Sequence, residues 1–276
     1  MITLLTDFGI SDFYVGSMKG VILTINPDIQ IVDISHAVSP QNIEEGAFIL
    51  KQVYHYFPQG TIHVVVIDPG VGSARRIIVL DTQEYIFLAP DNGVLKYIFD
   101  DYTDYRVIEV NNSMYYLNNV STTFHGRDIF APIAAHLSLG VDIADLGEEI
   151  SNYIKPEIIK PVKKGNKITG QVMYIDSFGN CITNISSELL ESKKEIQIQI
   201  KNLVLWEIKS NYSEVSKGEV LALFGSSGML EISVNEGNAQ EQYAFRVGDR
   251  VVVEGARKKA KDKRQKTKDK RLKKKD

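Results

Sequence analysis

Residues Val64-Val65-Val66-Ile67 form an unbroken apolar run closed by Asp68-Pro69-Gly70, and no other feature restricts the fold as much. A strand with one wet face alternates apolar and polar residues, whereas four consecutive apolar side chains require cover on both faces. Such a strand lies inside a sheet with a layer on either side. The residues that follow, Val71-Gly72-Ser73-Ala74-Arg75-Arg76, continue a glycine-rich turn that sets one carboxylate near two guanidinium groups.

The first half of the chain supplies the covering layers. Ile2–Leu5 reads as a strand rather than a signal sequence. From Asp12 to Ile25, Val15, Met18, Ile22 and Ile25 recur at helical spacing, and Asn26-Pro27-Asp28 stops the helix. Ile29–Ile34 is a second strand. Asn42 caps a helix with Glu44 and Glu45 in its first turn, running to about Phe57. Strands over 61–67, 76–80 and 84–88, a helix from Asn92, a strand near 105–110 and a helix over Arg127–Leu139 complete the pattern. Strands alternating with helices predict a mostly parallel sheet.

Beyond Pro156 and Pro161 the character changes. Thr169–Ile175, Ile182–Asn184, Ile196–Ile200, Glu219–Phe224, Met229–Val234 and Arg250–Val253 are short, β-branched and separated by Gly, Asn and Ser turns. The expected organisation is an α/β domain over residues 1–155, a small all-β, barrel-like domain over 166–255, and a basic tail over 256–276. From Arg257 to Asp276 there are 13 Lys or Arg and three Asp, a balance of +10. Subtracted from totals of 32 basic and 35 acidic residues, this leaves 19 against 32, or −13, for residues 1–256. The tail reads as disordered, either a solvated appendage or a weak, sequence-independent hold on RNA or another polyanion. No apolar run approaches the roughly 18 residues of a membrane span. Cys181 stands alone, which excludes an internal disulfide and predicts a reducing, cytoplasmic setting.

Ligands of open α/β sheets bind beyond the carboxyl ends of strands, and three acidic turns fall there. Asp7 follows the first strand, Asp33 ends the second and Asp68 ends the third. An isolated Asp in a turn is most simply a turn-former, and Asp33 is read so. Asp68 differs, because Gly70 and Gly72 let the backbone approach a ligand and Arg75 lies within reach. His125 precedes a helix start, where the positive dipole end keeps an imidazole neutral. Arg127 and Asp128 read as a structural pair. In the second half, Asp176-Ser177-Phe178-Gly179-Asn180 offers a carboxylate, a ring and an amide, and Gly225-Ser226-Ser227-Gly228 offers hydroxyls and N–H groups. Each is an ordinary turn alone; together they describe a pocket for a small polar ligand with an amine, a carboxylate and a flat ring. Five His and one Cys show no metal-ligand spacing, so no metal is expected.

These residues resemble the S-adenosylmethionine hydrolase (adenosine-forming) family, also called S-adenosylmethionine hydroxide adenosyltransferases, relatives of the fluorinase and chlorinase. The resemblance spans roughly residues 1–254 and rests on Thr6-Asp7-Phe8-Gly9, Ile43-Glu44-Glu45-Gly46-Ala47, Asp68–Arg76, Ala89-Pro90-Asp91-Asn92-Gly93, Phe124–Asp128, Asp176–Asn180 and Ser226–Asn238. It implies an α/β domain and a barrel-like domain in a homotrimer, with active sites at subunit interfaces. It implies that Asp68, Arg75 and His125 hold a water, that Asp7 binds the ribose hydroxyls and that Asp176 binds the methionine ammonium. Ser226 and Ser227 would meet the carboxylate, Asn180 and Val234 the adenine, with Phe124 and Phe178 as further substrate contacts. In the halogenases the positions matching Asp68 and His125 are tyrosine-like, and a halide-binding serine falls at Gly126. The insertion typical of fluorinases is missing between Leu80 and Tyr85, and the family's arginine beside the carboxylate is Ser227 here. The implied activity is hydrolysis of S-adenosyl-L-methionine to adenosine and L-methionine, with no cofactor. A halide-using adenosyl transferase of the same fold and a non-catalytic adenosine- or S-adenosylmethionine-binding protein are the alternatives. No Gly-x-Gly-x-x-Gly loop follows the first strand, which disfavours a methyltransferase.

Overall fold

The computed structural model describes residues 1–190 and 196–255, and the basic tail expected over 256–276 lies outside the described residues. The chain divides into two compact units, Met1–Ile158 and a second that begins at Ile159.

In the first unit the strands are β1 (Ile2–Thr6), β2 (Ile31–Ser35), β3 (Ile62–Val66), β4 (Ile77–Asp81), β5 (Ile86–Pro90) and β6 (Arg106–Glu109). Its helices are α1 (Tyr14–Ile25), α2 (Ile43–Val53), α3 (Lys96–Asp101) and α4 (Ala131–Ser138). The sheet order is β2-β1-β3-β5-β4-β6. Pairs β1–β2, β1–β3 and β3–β5 are parallel, while β4 runs antiparallel to both β5 and β6. The sheet is therefore mixed: three of its five pairings are parallel, as the alternation suggested, and β4 alone runs against the other strands. The reason is the connection after β3. A parallel crossover needs a dozen or more residues and usually a helix, but residues 67–76 form only a turn before β4, which then hairpins into β5.

Both faces of the sheet are covered. Val64 and Val66 pack with Met18 and Ile22 of α1 and Ile133 of α4. Val65 and Ile67 pack with Ala47 and Leu50 of α2 and Ile98 of α3. Each such side chain contributes on the order of 2 kcal/mol relative to exposure, which anchors the strand that delivers Asp68. Asn42 caps α2 by accepting from the Glu45 N–H at 3.2 Å. The helix expected from Asn92 begins at Lys96, and the one expected from Arg127 opens as a π-helical turn over Gly126–Phe130 before α4.

The second unit comprises β7 (Val162–Lys164), β8 (Lys167–Ile175), β9 (Cys181–Ser186), β10 (Ile196–Ile200), β11 (Leu203–Leu205), β12 (Val220–Phe224), β13 (Met229–Val234), α5 (Ala239–Tyr243) and β14 (Arg250–Gly255). Its strands pair antiparallel in the order β11-β10-β14-β8-β9-β13-β12, with β7 on β8. An isolated bridge from Lys209 to Leu223 brings the chain after β11 back to β12, so the barrel nearly closes. Ile196, Ile198 and Ile200 point into its core while Gln197 and Gln199 face outward, the alternation of a sheet with one wet face. Among the described residues, no helix is long and apolar enough to cross a membrane.

Candidate active site

The loop from β3 to β4 folds back on itself. Ser73 Oγ donates to the Gly70 carbonyl at 2.6 Å and accepts from the Arg75 N–H at 3.2 Å. This turn directs the Arg75 side chain at Asp68: Nε donates to both carboxylate oxygens, at 3.0 and 2.9 Å, and Nη2 donates to Oδ2. Gly72 makes the next contact possible. Its φ is +78°, and a Cβ there would lie 2.2 Å from the Thr122 carbonyl oxygen. The β3–β4 loop thus presses directly against the segment that leads into His125.

Across that contact, Arg75 Nη2 lies 2.8 Å from His125 Nδ1. A guanidinium only donates, so Nδ1 accepts and the ring carries its proton on Nε2. Burial, with the adjacent Arg75 charge, lowers the His125 pKa from its ordinary value, although Asp68 and Asp128 pull the other way. Desolvation and the neighbouring cation both favour the neutral imidazole that the acceptor role of Nδ1 requires. Asp68, Arg75 and His125 therefore form one connected network, with Arg75 also 5.9 Å from the Phe130 ring centroid. Arg75 Nη1 has no protein partner among the described residues and remains a donor for a ligand.

Arg76 and Asp128 beside this network have structural partners. Arg76 donates to Asp91 and to the side chain and carbonyl of Asn152. Asp128, fully buried, accepts from Arg127 at 2.6 Å and from the Ser121 N–H at 2.8 Å, tying down the loop before His125. Phe124 is buried edge-on against Tyr14, with centroids 5.0 Å apart, and also meets Phe8. Phe8 and Met18 wall the other side of Gly126, where a Cβ would sit 3.2 Å from each. Sequence reasoning missed these two, since nothing local signals that a helix residue and a turn residue converge on a third segment. Asp7 lies in the turn after β1, and its Oδ2 accepts from the Gln41 N–H at 2.7 Å.

The remaining predicted residues belong to the second unit. Asp176 accepts from the Phe178 and Asn180 N–H groups at 2.9 Å, and from the Asn180 side-chain amide. Phe178 is 74% exposed at the tip of this turn, whereas Asn180 is buried. Ser226 and Ser227 sit in the β12–β13 turn, closed by the Gly228 N–H donating to the Gly225 carbonyl at 2.9 Å. Val234 is buried at the end of β13. Sequence reasoning also missed Glu231, which is buried and accepts from Tyr212 Oη at 2.7 Å and Ser233 Oγ at 2.6 Å. Its carboxylate lies under Gly225, where a Cβ would come within 2.5 Å of it. Burial raises the Tyr212 pKa, and the Glu231 and Asp176 charges add to the shift. The same two carboxylates, with Asp249, add to the burial that pushes the Cys181 thiol up to about 12. The turn at Asp176 is therefore a region of concentrated negative charge. Among the described residues, no group of three or more His, Cys, Asp or Glu could hold a metal ion.

Comparisons with known proteins find relatives that match over both units. The SAM hydroxide adenosyltransferase N-terminal domain matches residues 2–147, and the C-terminal domain of the same name matches residues 170–252. A protein of Methanocaldococcus jannaschii named (R)-S-adenosyl-L-methionine hydrolase is 38% identical, over 87% of this chain and 90% of its own. One of the same name from Salinispora tropica is 33% identical, over 91% of this chain and 97% of its own. A fluorinase of an Actinoplanes species is more distant, at 26% identity over 93% of this chain and 98% of its own. Among solved structures, an uncharacterized conserved protein from Thermotoga maritima superposes with a TM-score of 0.86 at 36% identity, covering 92% of this chain and 99% of that one. With matches over most of both units, this chain belongs to the SAM hydroxide adenosyltransferase family.

Proposed function

We propose that this enzyme hydrolyses S-adenosyl-L-methionine (SAM) to adenosine and L-methionine. The observation that carries the reading is the Asp68–Arg75–His125 network, whose free Arg75 Nη1 and His125 Nε2 are donors for a water oxygen. In SAM the sulfonium makes ribose C5′ electrophilic, and neutral methionine is a good leaving group. The nucleophile is the difficulty, because bulk water has a pKa of about 15.7. Arg75 stabilises developing hydroxide, Asp68 takes the water proton and passes it to solvent, and His125 orients the oxygen. The new O–C5′ bond forms as the C5′–S bond breaks with its electron pair leaving on sulfur. Water and SAM therefore give adenosine, methionine and one proton. General-base assistance is worth on the order of 10²–10⁴-fold, with positioning added to it.

Water rather than halide is supported by the close wall around Gly126. Met18 and Phe8 leave little room for the serine hydroxyl that a halide site would use. The assay is chromatography of adenosine, methionine and 5′-chloro-5′-deoxyadenosine after incubation with SAM and chloride. Adenosine and methionine in equal amounts support the reading, and a chlorinated nucleoside or adenosine bound without turnover would overturn it. Following the family resemblance, Asp7 is assigned to the ribose, Asp176 to the methionine ammonium, Ser226 and Ser227 to its carboxylate, and Asn180 and Val234 to adenine. Phe124 and Phe178 are the aromatic contacts on the same basis. A homotrimer is proposed on the same ground, with sedimentation equilibrium as its test. A cytoplasmic location rests on the single, buried thiol of Cys181. The basic tail is proposed as a weak RNA contact, which salt-dependent retention of the full chain on immobilised RNA would read out.

A further inference from the structure

We infer that His36 and Thr6 form a clamp that positions Asp7 for the ribose diol, an inference that rests on the reading above. The turn Thr6-Asp7-Phe8-Gly9 is held from behind by the His36 ring and backbone. His36, buried to 6% exposure, puts Nδ1 2.9 Å from Thr6 Oγ1. The Phe8 N–H donates to that same hydroxyl oxygen at 3.2 Å, and the Gly9 N–H donates to the His36 carbonyl at 2.7 Å. One residue thus holds both ends of the turn, ring to its first residue and backbone to its last. On the far side of the ring, Nε2 lies 3.1 Å from Asp33 Oδ1, off the line of a well-formed hydrogen bond. Asp33 is in turn held by Lys19 of α1 at 2.6 Å. A carboxylate near Nε2 favours the proton there, so Nδ1 accepts and the Thr6 hydroxyl donates. The chain Lys19–Asp33–His36–Thr6 ties α1, the end of β2 and the end of β1 to one turn. Asp33, read from sequence as a turn-former, is the link between Lys19 and His36 in this chain. With Oδ2 of Asp7 already accepting from the Gln41 N–H, Oδ1 is the carboxylate oxygen with both lone pairs open to a ligand among the described residues. Its direction depends on how rigidly the turn is held, since misplacement of a binding group by about 1 Å is costly.

His36 and Thr6 are positioning residues, and the test separates positioning from general folding. Adenosine and 2′-deoxyadenosine affinities are measured by calorimetry on the full chain for wild type, T6V, T6S and H36F, with thermal melting alongside. Thr6→Val is expected to weaken adenosine about tenfold, the equivalent of one hydrogen bond, and 2′-deoxyadenosine less than about threefold, because the coupling runs through the diol. Thr6→Ser keeps the hydroxyl and restores adenosine affinity. With SAM, KM rises while kcat stays within about threefold. His36→Phe behaves as Thr6→Val does. Equal losses for both nucleosides, failure of T6S to rescue, or wild-type affinity in folded T6V or H36F would each overturn the clamp. Wild-type protein that binds adenosine but releases no methionine would overturn the hydrolase reading and leave the clamp standing.

Discussion

Arg75 uses Nε and Nη2 on Asp68, shares Nη2 with His125, and keeps Nη1 for an incoming oxygen. A lysine keeps the charge but not the planar fork, so Arg75→Lys should lower kcat by about 10²-fold or more with little change in KM. Initial rates of adenosine release measure this, and near-wild-type turnover would refute the role. His125 gives a pH prediction. Its lowered pKa keeps Nδ1 free to accept from Arg75 throughout the neutral range. The rate should show no acid limb at the ordinary imidazole value, falling only at lower pH, and His125→Asn should remove that limb. A second histidine bears on stability. His63 is completely buried, bonded through Nδ1 to Thr3 at 2.8 Å, and burial lowers its pKa to about 3. Below pH 6.5 the unfolded chain takes up a proton that the folded one refuses, so stability falls as pH drops towards 3. The loss reaches on the order of 5 kcal/mol at the lower end. Denaturant unfolding across pH should show this slope, and His63→Phe with Thr3→Val should flatten it. Asp68, Arg75 and His125 were legible as unusual residues in unusual turns. The Thr3–His63 and Thr6–His36 pairs were not, because each joins positions whose neighbourhood depends on strand placement.

The elements were readable wherever a periodic pattern was bounded by a breaker. The 12-residue α1, the capped α2 and the all-apolar β3 are such cases. What the pattern missed was the direction of one strand: apolar content does not say which way a neighbour runs, and β4 turned back because its connecting segment carries no helix. That same segment is the site's main loop, so the antiparallel return and the placement of Arg75 are one event. Gly72 is its pivot. Gly72→Ala places a Cβ against the Thr122 carbonyl in a left-handed conformation, which should cost about 2 kcal/mol or more. Thermal melting tests the stability loss, and kcat should fall further because the Arg75–His125 contact crosses that junction. By contrast Asn42→Ala removes the cap of α2, about 1 kcal/mol; because Asn42 adjoins Gln41, whose N–H holds Asp7, KM is the parameter expected to move while kcat stays unchanged.

For the whole molecule, the chemistry predicts independence from added metal, since a neutral thioether leaves without Lewis-acid help. Pre-treatment with a chelator should leave the initial rate within about twofold, and loss of activity restored by a divalent cation would refute this. Local residue chemistry, in the order of its motifs, carried the family resemblance and the two kinds of domain, and singled out the side chains proposed to carry the reaction. The domain types follow from periodicity and turn-forming residues, which act over a few residues, whereas the residue roles follow from the resemblance of whole motifs. The tertiary structure alone decided the mixed direction of the first sheet, the neutral tautomer of His125, the wall of Phe8 and Met18 at Gly126, and the hold of His36 on the Asp7 turn. Each of these is a contact between segments distant along the chain. Its energy depends on distance, burial and register, which packing sets and no local pattern records.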